Sequence, residues 1–81
     1  MTILVERHTG RHFSVMEVLR WLDCGHLPPH LREIADIITA ASDGLLDRLE
    51  DGPQLTRGLH ALVEAKDCFV RQAVLDQERR T

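Results

Sequence analysis

Lys66 is the residue whose type and position could do chemistry. It falls in the middle of a helical arc set by Leu59, Leu62, Val63, Phe69, Val70 and Ala73, so an ammonium stands where the pattern asks for leucine. An unpartnered ammonium taken out of water is costly, so it must meet an anion, reach solvent along its stem, or line a cavity. Two outcomes stay open: Lys66 is satisfied at a subunit seam or by Glu17 or Asp23, or it binds an anionic ligand. The segment from Trp21 to His30 joins the only tryptophan to His26, His30 and a helix start. Free amides and imidazoles suit a phosphate and an indole suits a base or ring. The same segment also reads as a packed loop with Trp21 in the core and both histidines in water.

Other chemistries find less support. Pro28 and Pro29 stand between His26 and His30 and keep them off one helical face, and Cys24-Gly25-His26 lacks a matching second ligand pair, so no metal site is expected. No serine, cysteine or threonine sits in a recognisable nucleophile motif and no glycine-rich phosphate loop is present. Neither an enzyme nor a bound cofactor is expected.

These residues need helices to position them. Met1 to Phe13 has no helical period and reads either as an extended arm, with room for a short strand, or as a frayed terminus. Ser14-Val15-Met16-Glu17 has the form of a capping box and opens a helix that buries Val15, Val18, Leu19 and Leu22 and stops before Gly25. Pro28-Pro29 set the start of a second helix, His30 to about Glu50, with Leu31, Ile34, Ala35, Ile38, Ala41, Leu45, Leu46 and Leu49 on one face. Asp51-Gly52-Pro53 ends it and begins a third, running to about Asp76. The expected fold is all-α, a short N-terminal helix followed by a long antiparallel helical hairpin. Residues 1–13 form the arm, 14–76 one helical domain, and 77–81 a flexible tail.

With 81 residues the core is thin, because a chain this short buries only about 60–65% of the surface its unfolded form exposes. Two cysteines, no secretory pattern at the start and no long apolar run predict a cytoplasmic protein with reduced thiols and no membrane span. Self-association is then the expected source of further buried surface. A net charge of −3, with the cations dispersed, makes duplex nucleic acid a poor partner.

Three stretches together, His26-Leu27-Pro28-Pro29-His30-Leu31, Asp51-Gly52-Pro53-Gln54-Leu55-Thr56 and Leu62 to Arg71, resemble small helical proteins of actinobacterial phages and prophages. These in turn are similar to the phage anti-CBASS sponge family, which sequesters the cyclic di- and trinucleotide messengers of bacterial immunity. The resemblance spans about Trp21 to Val74. It implies a compact homo-oligomer, commonly a hexamer, acting in the host bacterial cytoplasm and holding messengers at subunit junctions without cleaving them. It also implies stacking by an aromatic, by position Trp21 or His26, and phosphate contacts from basic side chains, for which His30, Arg32, Lys66 and Arg71 are the candidates. The chain departs from the family in having no tyrosine and in carrying Thr39 where a lysine is expected. The alternative is a structural or protein-partner oligomerisation module with no small-molecule ligand.

Overall fold

The computed structural model describes residues 3–23 and 26–80. It is all-helical: α1 is Ile3–Arg7, α2 Phe13–Leu22, α3 Pro29–Arg48 and α4 Pro53–Arg80. The molecule is elongated, 44 × 23 × 18 Å.

The amino-terminal stretch is not an extended arm. Ile3 to Arg7 form a short helix, and no strand occurs among the described residues. Five residues are too few to display a period, but Leu4 is fully buried in the common core. Thr9 Oγ1 donates to the Val5 carbonyl at 2.8 Å and finishes the helix, and Gly10, at φ 100°, turns the chain toward α2.

The start of α2 also differs from the sequence reading. His12, not Ser14, is the cap residue, and its Nδ1 accepts from the Ser14 amide at 3.1 Å. Ser14 Oγ lies 3.1 Å from Thr56 Oγ1 on α4, which leaves it no part in a capping box. Glu17 reaches only Arg20, at 3.9 Å. The buried face of α2 is the expected one: Val15, Val18, Leu19 and Leu22 are fully enclosed and form the core with Leu4, Leu46 and Leu59.

α3 packs on a narrower stripe than its apolar pattern suggests. Ala35, Ser42 and Leu46 are buried, whereas Ala41, Leu45 and Leu49 are exposed. The buried Ser42 hydroxyl is satisfied within the helix, donating to the Ile38 carbonyl at 2.8 Å. Ile34 and Ile38 share a groove with Phe69 and Ala73, while Leu45 and Leu49 share another with Leu55 and Leu59. Early α3 therefore faces late α4 and late α3 faces early α4. α4 continues through Arg80, so residues 77–80 belong to the helix.

The amino-terminal segment is fixed by charge as well as by Leu4. Arg7 pairs with Asp43 and, at 3.5 Å, with Asp47, while His8 Nε2 lies 2.7 Å from Asp43. Arg11 donates to the Leu46 and Leu49 carbonyls at 3.1 and 2.8 Å and caps the end of α3. No helix among the described residues is long and apolar enough to cross a membrane.

Candidate functional site

Lys66 is buried, at 9% exposure, as its place in the helical arc requires. Its partner is neither Glu17 nor Asp23. Nζ donates to the backbone carbonyl of Trp21 at 2.5 Å, and Asp67 Oδ1 lies 3.5 Å away. Trp21 stands in the last turn of α2, where carbonyls have no intrahelical donor. Thr39 Oγ1, from α3, shares its proton between the next carbonyl, Leu22, and the Ala35 carbonyl of its own helix, both at 3.2 Å, and the Asp23 amide closes on Leu19 at 3.2 Å. Lys66 and Thr39 thus reach successive carbonyls of one helix end. The negative end of the α2 dipole adds to the attraction for the ammonium. Sequence reasoning could not find this arrangement, because backbone carbonyls leave no mark in a side-chain pattern.

The tryptophan ring lies outside the core. Its backbone meets Lys66, yet the residue is 62% exposed, because it projects from the flank of α2, off the Val15–Leu19–Leu22 face. The packed-loop reading therefore fails for Trp21 and holds for His26 and His30, which are both exposed. His26 lies in the turn and His30 in the first turn of α3. Arg32 follows, also exposed and engaged by a partner. Cys24 lies outside the described residues. Lys66 and Trp21 are thus joined directly through the carbonyl, and His26, His30 and Arg32 follow Trp21 along the α2–α3 turn and the start of α3. Arg71 is exposed on α4, on a different face from Lys66.

This helix start is a weaker anion cradle than its place suggested. Pro28 and Pro29 bring no N–H, and the Leu31 and Arg32 amides both donate to the Pro28 carbonyl at 3.0 and 2.8 Å. Of the first turn's amides only that of His30 is not committed by these bonds. Any phosphate contact here depends on side chains.

Asp23, at the end of α2, is the most perturbed carboxyl of this region. Its Oδ1 accepts from the Leu4 amide at 3.3 Å, while Oδ2 is enclosed with no close hydrogen-bond partner among the described residues. Burial pushes its pKa above the ordinary value, against the lowering effect of the Leu4 and Val5 amides.

Two clusters escaped the sequence reading. One is the network of Arg7, His8, Asp43 and Asp47, in which the ligand atoms of His8, Asp43 and Asp47 lie within 4.8 Å of one another. Arg7 bonds both carboxylates and makes the cluster an ion-pair network. Asp43 is held below the ordinary carboxylate range by the His8 hydrogen bond and then by Arg7. The Asp43–Asp47 spacing, one helical turn, was the available signal. The other is a groove of about 640 Å³ lined by His12, Ser14, Thr56, Arg57 and His60, which no short motif announces. Comparison with known proteins finds no matching family model, no matching curated protein and no matching solved structure.

Proposed function

We propose that this chain is a phage anti-defence sponge of the anti-CBASS kind, which binds cyclic di- or trinucleotide immune messengers and withholds them without cleavage. In this reading α3 and α4 form a long antiparallel hairpin whose copies assemble into a compact homo-oligomer, a hexamer by resemblance, in the host bacterial cytoplasm. The observation that carries the ligand side is the open Trp21 ring, 62% exposed, at the end of α2 just before His26, His30 and Arg32. An indole free on its faces can stack on a base, and neighbouring imidazole and guanidinium groups can meet phosphate. Support for assembly comes from Ile37, Leu45, Leu49, Phe69 and Leu75, large apolar side chains exposed on α3 and α4. Withholding a messenger needs affinity and stoichiometry, with no transition state to stabilise.

A second reading, a protein-partner or structural module with no small-molecule ligand, is favoured by the satisfaction of Lys66 inside the chain. A seam lysine already bonded to a carbonyl requires no phosphate. Melting temperature across a panel of cyclic di- and trinucleotides separates the two. The sponge raises it with at least one messenger, returns that messenger intact after denaturation, and loses the effect on Trp21→Ala, a change at an exposed ring that leaves the core whole. An assembled protein with no shift across the panel is the second reading.

A further inference from the structure

A groove of about 640 Å³ opens where α2 and α4 begin, a volume suited to a small organic ligand. The messenger reading makes no use of it. Its two walls are tied by the Ser14–Thr56 hydroxyl contact at 3.1 Å. His12 Nδ1 accepts from the Ser14 amide at 3.1 Å and so holds the ring at the mouth of the groove it lines. Arg57 and His60 line the same groove from α4.

The charge there is unbalanced. Arg57 and His60 project from about one and two turns into a 28-residue helix whose first turn holds no acidic side chain to pair with them. Asp51 is the groove's one carboxylate, and it is already spent. Oδ2 accepts from the His12 amide at 2.7 Å and Oδ1 lies 2.7 Å from Arg11 Nε, contacts that hold it below the ordinary carboxylate range. Arg57 has no acidic residue three or four positions away in either direction along the helix.

We propose that this groove binds a phosphate monoester carried on a small aromatic or apolar body. The Arg57 fork, the His60 imidazole and the Thr56 hydroxyl offer donors of different geometry to one dianionic group with three acceptor oxygens. Pro53 and the side-chain carbons of the walls receive the body. The groove lies at the opposite end of α2 from Trp21.

The test is titration of isotopically labelled full-length protein with phenyl phosphate, read from amide resonances, with inorganic phosphate and phenol as parallel arms. Saturable shifts are expected at Ser14, Thr56 and Arg57, with phenyl phosphate at least tenfold tighter than either fragment. Arg57→Gln abolishes saturation while leaving resonances of α3 in place. No saturable shift at millimolar phenyl phosphate, an equal response to inorganic phosphate alone, or unchanged binding by Arg57→Gln overturns the proposal.

Discussion

Lys66 Nζ, on α4, holds the Trp21 carbonyl at the end of α2 at 2.5 Å, so the side chain that most disturbs the apolar pattern is what joins the short helix to the long one. A part-buried carbonyl that loses a charged donor costs up to about 1–3 kcal/mol. Lys66→Met should therefore destabilise the fold by about 1–3 kcal/mol, read as a lower urea midpoint with an unchanged slope. A neutral or stabilising effect would show that the cap contributes nothing net, as when a buried ionic group is replaced by a well-packed apolar one.

Thr39→Val removes the neighbouring cap on Leu22. A cost of roughly 1 kcal/mol is expected. Because both side chains serve successive carbonyls of one helix end, the Lys66→Met, Thr39→Val double variant should depart from additivity. A double-mutant cycle in urea checks this, and strict additivity would separate the two caps.

The amino-terminal segment is a structural part of the domain. Leu4 is fully enclosed, and Leu4→Ala should cost about 2–5 kcal/mol, a large share of the stability of a small domain. Thermal unfolding followed by circular dichroism measures it. A loss below about 0.5 kcal/mol, ordinary for an exposed site, would return residues 3–7 to the status of a loose arm.

Acid should loosen that segment first. Asp43 has its pKa lowered from the unfolded value of 3.8, first by the His8 hydrogen bond, with Arg7 adding to it. A depressed folded value means that the stabilisation is complete above pH 3.8 and is lost as pH falls through the lower folded value. Asp23 has the opposite sign: its raised value makes the ionised form a liability, and the folded state gains relative stability as pH falls through that value toward 3.8. Asp43→Asn should thus flatten the acid limb of a stability–pH curve, and Asp23→Asn should raise stability at neutral pH. Parallel curves for the parent and both variants would contradict the assignments.

Much of the helical frame is legible in the residues. The α2 face, the proline start of α3, the Asp51-Gly52-Pro53 break and the buried place of Lys66 all follow from period and turn chemistry. The departures have physical causes. Ile3 to Arg7 is too short to show a period, and an imidazole took the capping position that Ser14 seemed to claim. Ala41, Leu45 and Leu49 share the apolar arc of α3 but lie outside the narrower stripe that its neighbours cover, and periodicity alone does not show how wide that stripe is. At the candidate site, Lys66 is legible as a buried amine while its partner is not, because that partner is a backbone carbonyl brought from 45 residues away. The Trp21 ring follows the same rule: only packing shows which flank of a 10-residue helix meets water.

The exposed apolar side chains of α3 and α4 give assembly its own check. Ile37 and Phe69 are 65% and 55% exposed and share one groove. The variant Ile37→Ser with Phe69→Ser should lower the mass of the particle in light scattering while leaving its helical content unchanged. An unaltered mass would place the contact elsewhere.

Native mass spectrometry of the purified protein mixed with cyclic di- and trinucleotides reads subunit number and bound mass together. The account predicts a multimer carrying intact messenger, with the adduct lost in Trp21→Ala and the multimer kept. A bare monomer at micromolar concentration, with no adduct from any messenger, would contradict it.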